Sequence, residues 1–319
     1  MDNEQEYMKY DNENDSIFFG SDVNIKKIFF VLWESKLLIA SLTGFFAVFS
    51  VLYSLSLPNI YTSSSLLKLS KANDSNNALS SISSDFGGLA SLAGISIPGN
   101  LEDESEYAMQ TLISRDFVKH LNKFDNISLN LIASKGFDDE NREIIIDQKK
   151  YNSQKKTWIR QPTKYTKVIP TDLEVHRKYM RSISVSKDKL SGFISISFKH
   201  HSPVFAKDFL DLIIQELNNI ARERNLEESN LALEYLENKL ENELQTDIRD
   251  SINKLIGSQL QNQMLSNVKK DYLLEVIDPP YMPEMKSAPS RAIICIALTL
   301  FGAILSILIA LVRYNFKNT

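Results

Sequence analysis

Cysteine is nearly missing from this chain of 319 residues. The single copy, Cys295, lies in an apolar run, so no disulfide forms within one chain and no cysteine metal site can be built. Histidine is scarce and scattered: His120, His176 and the pair His200-His201. The pair ends a predicted strand, where neighbouring side chains point to opposite faces, so it cannot grip one metal. No Gly-x-Ser-x-Gly, His-Glu-x-x-His or Walker pattern occurs. The glycine-rich segment Phe86 to Ile95 lacks the Gly-Lys-Ser/Thr that holds phosphate and magnesium, and reads as a small-residue segment. Asp138-Asp139 reads as a solvated turn. With 36 basic against 40 acidic residues there is no basic excess that would point to nucleic acid. Nothing is left for a catalytic, cofactor or metal site, and the reading is a scaffold rather than an enzyme.

Charge is also missing from two runs, Leu37 to Leu57 and Ala292 to Val312, each 21 residues long. That length crosses a bilayer core of about 30 Å as a helix. The second run holds 13 Leu, Ile, Val or Phe residues, which favour insertion by roughly 4 to 8 kcal/mol. A buried core helix is usually shorter and carries some charge. The first run reads as an uncleaved anchor rather than a signal peptide, because its leader is acidic at its start and its apolar stretch is longer than an h-region. We therefore predict transmembrane helices at 37–57 and 292–312, joined by a large domain at 58–291. Residues 1–36 and 313–319 form short tails, both on one side. Lys26, Lys27, Lys36, Arg313 and Lys317 outside the runs hardly outweigh Lys68, Lys71, Lys286 and Arg291 inside, so charge alone does not orient the chain.

Along the loop, Ile60 to Leu69 reads as a strand and Ser70 to Ser84 as loop. Glu102 to Leu121 and Thr171 to Met180 read as helices, and 147–166 as polar and irregular. Ile183 to Ser186 and Phe193 to Phe198 alternate with period two and form a hairpin. Ser202 caps a helix with Pro203 at its first position. Its apolar stripe runs on through Leu233, Leu236, Leu240, Leu244, Ile248, Ile252 and Leu255 to Met264, with Gly257 as a candidate break. Unbroken over 203–267, it would be about 100 Å long. Such a helix projects, or packs beside copies of itself. Tyr272 to Ile277 reads as a returning strand. Pro280, Pro283 and Pro289 then share a three-residue period over 278–290, that of a stiff polyproline II rod. In the second span Gly302, Ser306 and Ala310 form a small-residue face for close helix packing.

The chain resembles the Wzz-type chain-length determinants, the polysaccharide co-polymerases. Leu32-Trp33-x-x-Lys36 before the first span, then Pro58-x-x-Tyr61, resemble the start of that family's pattern. Ser114-Arg115 is similar to its Ser-Arg element. Pro280, Pro283, Pro289 and Arg291, followed by Gly302, are similar to its C-terminal proline motif, although Lys286 takes one proline slot. The resemblance implies an α+β periplasmic domain with a long projecting helix, anchored by two transmembrane helices in the inner membrane with both termini cytoplasmic. It implies a ring-shaped homo-oligomer that works with a polysaccharide polymerase on a lipid-linked glycan, most simply lipopolysaccharide O-antigen, since too little chain follows the second span for the kinase some relatives carry. The nearest rival is a capsule or exopolysaccharide export component of the same architecture. A periplasmic sensor would need a signalling module, and a glycosyltransferase a donor-binding domain. Neither is recognisable.

Overall fold

A computed structural model describes residues 32–70, 101–164, 166–243 and 245–317. The acidic leader, the serine-rich loop after Ser70 and the glycine-rich segment lie outside them. In chain order the elements are α1 (Lys36–Ser56), β1 (Tyr61–Leu69), α2 (Leu101–Ile113), α3 (Arg115–Leu121), α4 (Ile127–Ala133), β2 (Ser134–Asp138), β3 (Glu143–Ile146), β4 (Tyr151–Asn152), β5 (Thr157–Trp158), α5 (Asp172–Ser182), β6 (Ile183–Lys187), β7 (Ile194–His200), α6 (Pro203–Asn242), α7 (Thr246–Val268), β8 (Leu274–Asp278) and α8 (Arg291–Lys317). They form two compact units, 1–58 with 287–319, and 59–286.

The first unit is the pair α1 and α8, both long and apolar enough to cross a membrane. Thr43 opposes Ser306 and Phe46 opposes Gly302, so the pair is antiparallel. Its construction inverts that of a soluble protein. Phe45, Phe49, Leu52, Ile296, Leu300 and Leu308 face outward, whereas Ser50, Ser54, Ser306 and Ala310 are buried in the seam. Where lipid replaces water, apolar packing alone gives little association, and small residues let the backbones approach.

The second unit is α+β. A four-stranded antiparallel sheet has the order β6-β7-β1-β8. Burial alternates along β7, as one covered face requires. The first half of α6 packs on β1 and β7 with Phe205, Phe209, Leu210, Ile213 and Leu217. Phe198 meets Phe209 edge to face at 4.9 Å, and Tyr179 closes the cluster from α5. Each such side chain stabilises the core by about 1.5 to 3 kcal/mol. The predicted 183–198 hairpin, the strand after the first span and the Ser202 cap, which accepts from the Phe205 amide at 3.1 Å, are all present.

Two helices differ from their prediction. The helix expected over 102–121 breaks at Ser114, which is extended and caps α3 by accepting from the Phe117 amide at 3.2 Å. The long helix expected over 203–267 is two helices. The chain reverses at Glu243 and Gln245, both extended, and Arg249 donates to the Leu240 and Glu243 carbonyls, capping the end of α6. Gly257 lies inside α7. The hairpin covers its own stripe: Ala232 and Leu236 on α6 bury against Ile252 and Leu255 on α7. Gln259 donates to Ser229 and Ser266 to Asn225 across the seam. Folding back hides apolar surface that one straight helix would leave in water.

Candidate functional site

The residues singled out in the sequence fall into three places. Near the start, Trp33 is exposed and the Lys36 ammonium sits 5.0 Å above its ring, while Pro58 is exposed. In the α+β unit, Tyr61 is buried and pairs with His200 across the sheet. Ser114 is the helix cap described above, and Arg115 beside it is exposed. The chain returning from β8 is docked rather than free. Ser65 donates to the Asp278 carbonyl at 2.6 Å and Ser63 to the Tyr281 carbonyl at 2.7 Å. Pro280 and Pro283 are buried, and bends at Glu284 and Met285 interrupt the three-residue period before Pro289 and Arg291. The proline segment is therefore not one uninterrupted rod.

In the span pair, Gly302, Ser306 and Ala310 are buried. A Cβ on Gly302 would stand 2.5 Å from Phe46 Cβ, closer than atoms can pack. Thr43 and Ser306 hydroxyls meet at 3.4 Å, and Phe46 and Phe301 rings meet edge to face. The sequence assigned this small face to close helix packing. Here the chain's own first span fills it, because the loop between the spans lets them pair directly.

Several buried polar groups of the α+β unit serve structure. The Ser202 amide donates to His200 Nδ1 at 3.0 Å, so Nε2 carries the proton and donates to the Asn130 carbonyl at 3.0 Å. Burial pushes this imidazole down to about 4 and keeps it neutral. Burial likewise pushes the Tyr179 phenol up, and its hydroxyl donates to the Leu112 carbonyl. His176 lies 2.9 Å from the Ile113 carbonyl, and His120 pairs with Glu216 at 2.5 Å. Among the described residues no group of histidines, cysteines or carboxylates is arranged to hold a metal. A cleft of about 660 Å³ beside α6 is lined by Asp211, Asn218, Arg222, Lys269 and Lys270. Arg222 already donates to the Lys269 and Lys270 carbonyls.

The family model described as "Chain length determinant protein", Wzz, matches residues 21–121. That stretch is similar to the Wzz chain length determinant family. It includes Trp33, Lys36, Pro58, Tyr61, Ser114 and Arg115, and stops before the proline segment and Gly302. No curated protein matches. Among solved structures, a full-length bacterial polysaccharide co-polymerase is 11% identical, with 92% of this chain and 99% of that chain covered and a TM-score of 0.45. A fragment of WzzB, a polysaccharide co-polymerase from Salmonella Typhimurium, is 12% identical, with 72% and 100% covered and a TM-score of 0.31.

Sequence reasoning missed two features of this chain. Asn218 is a buried amide on the apolar face of α6, bonded to the backbone of Leu273 and Leu274. An asparagine pair, Asn218-Asn219, between Leu217 and Ile220 was its signal. The segment read as polar and irregular after Asp147 also opens a strongly basic stretch, visible only when charge is counted locally.

Proposed function

We propose that this protein is a non-enzymatic regulator of polysaccharide chain length in the bacterial inner membrane. In this reading it sets the modal length of a lipid-linked glycan, lipopolysaccharide O-antigen, in concert with the polymerase that extends it. The Wzz match over residues 21–121 carries the reading. Both termini are cytoplasmic and the α+β unit is periplasmic. Two apolar helices at the chain's ends support the membrane assignment. The protein works as a ring-shaped homo-oligomer. Leu231 and Tyr235 on α6, with Leu260, Met264 and Val268 on α7, are exposed on the hairpin. Their apolar surface supports burial between neighbouring copies.

The test is the lipopolysaccharide banding pattern of a deletion strain beside wild type and a complemented strain. Loss of a modal cluster to a random ladder, restored on complementation, is the expected result. An unchanged pattern overturns the O-antigen reading, and the same strains then go to a capsule and exopolysaccharide assay, where the export alternative predicts the defect.

A further inference from the structure

The stretch from Asp147 to Arg181 opposes the charge of the whole chain. It holds ten lysines and arginines against three carboxylates, in a protein of net charge −4. The fold gathers part of it into one cluster. The Lys150 ammonium donates to the Ile132 carbonyl at 3.1 Å, on the last turn of α4. His200 donates to Asn130 of the same helix, and His201 Nδ1 lies 3.1 Å from the Asn59 carbonyl. Lys178 approaches from α5. Half-burial, then repulsion from Lys150 and Arg181, holds its pKa below the usual lysine value. Among the described residues no carboxylate pairs with Lys178 or Arg181. Asp147 approaches Lys150 only at 3.8 Å, and Glu174 is taken by Arg160.

The place of this cluster in the unit is informative. Asn59 opens the α+β unit, two residues after Leu57 closes the first apolar run. Tyr61 pairs with His200, and Ser63 holds Tyr281 on the outgoing chain. The cations therefore lie at the end of the sheet where β1 begins and β7 ends. Trp158 and Tyr151, in contact at 5.3 Å, belong to the same stretch, and such rings suit the headgroup level of a bilayer.

We propose that Lys149, Lys150, Lys178 and Arg181 form a docking surface for the anionic phosphate headgroups of the membrane that holds the chain's own spans. The inference goes beyond the glycan role and does not depend on it. It requires only that the two apolar helices lie in a bilayer. A bilayer surface offers several phosphates at once to a cluster in which Lys178 and Arg181 have no carboxylate partner among the described residues and Lys150 has only the distant Asp147. Each lysine or arginine near an anionic surface strengthens attraction about fivefold.

The experiment uses the full chain in nanodiscs and follows amine labelling of individual lysines by mass spectrometry. Three conditions are compared: phosphatidylcholine with about a third phosphatidylglycerol, phosphatidylcholine alone, and phosphatidylcholine alone with millimolar inorganic phosphate. Labelling of Lys149, Lys150 and Lys178 should slow about fivefold or more in the anionic discs only, while Lys239 and Lys254 on the helical hairpin keep their rates. The double variant Lys149→Gln/Arg181→Gln, at two exposed positions, should restore fast labelling of Lys178. Equal rates in all three conditions overturn the proposal. Slowing by inorganic phosphate in zwitterionic discs also overturns it, by assigning the cluster to a soluble phosphate. Either result leaves the banding pattern, and with it the chain-length reading, untouched.

Discussion

Replacing Asn218 tests how the α6 helix is fastened to the sheet. Its side-chain oxygen accepts from the amides of Leu273 and Leu274, both at 2.8 Å, and its amide nitrogen donates to the Leu274 carbonyl at 3.0 Å. The side chain is 3% exposed, so water cannot replace these bonds without opening the core. Asn218→Leu keeps nearly the same volume and removes all three. Two backbone amides are then left buried without acceptors, at about 1 to 3 kcal/mol each. The expected loss is about 3 kcal/mol, a large share of the roughly 5 to 15 kcal/mol that keeps a domain folded. The assay is guanidinium unfolding of the full chain in detergent, followed by circular dichroism, with the shift in midpoint read against an unchanged slope. Asn218→Ala, which also opens a small cavity, should lose at least as much. If packing rather than hydrogen bonding held this contact, Asn218→Leu would match wild type within about 0.5 kcal/mol, and that result refutes the argument.

The span pair, the hairpin and a buried imidazole give further predictions. Gly302→Leu drives a side chain into Phe46 and should weaken pairing of the spans by about 1 to 3 kcal/mol. Disulfide cross-linking of Thr43→Cys with Ser306→Cys, in a Cys295→Ser background, reports it, and Phe46→Ala should restore much of the loss. Leu236→Ala with Leu255→Ala empties the hairpin seam and should lower its protection against proteolysis near 243–245, while the amide-exchange rates of β1 and β7 stay unchanged. His200 has a folded pKa of about 4, below its ordinary 6.5. The unfolded chain therefore binds the proton first as pH falls, and stability declines between those values by up to about 3 kcal/mol. A pH series of unfolding midpoints should show this decline in wild type and a flatter profile in His200→Gln.

Several elements were legible because their physics is local. The 183–198 hairpin announced itself through period-two alternation, and the start of α6 through Ser202 and Pro203. Both spans were legible because 21 consecutive residues without charge suit a bilayer core and little else. The reversal at 243–245 was not. No glycine or proline stands there, and Leu240, Leu244 and Ile248 continue a helical stripe across the turn. What decides the reversal is that Ala232 and Leu236 gain partners in Ile252 and Leu255, a contact between residues about twenty apart. The break at Ser114 was hidden because serine, although favoured at a cap, is also tolerated inside a helix. Choosing the cap depends on seating Phe117, Val118 and Leu121 in the core.

The sequence by itself determined that the chain has two membrane-length helices around an α+β unit, and it carried the motifs that resemble Wzz. Both follow from the order and type of neighbouring residues, which fix hydropathy, periodicity and capping. Only the tertiary structure decided which partners those surfaces take. It paired the small face of Gly302 and Ser306 with the chain's own first span, folded the long stripe onto itself, and drew Lys150, Lys178 and His201 from distant segments to one end of the sheet. Such choices depend on which surfaces meet once the chain is compact, and contacts across tens or hundreds of residues leave no period in the sequence to read.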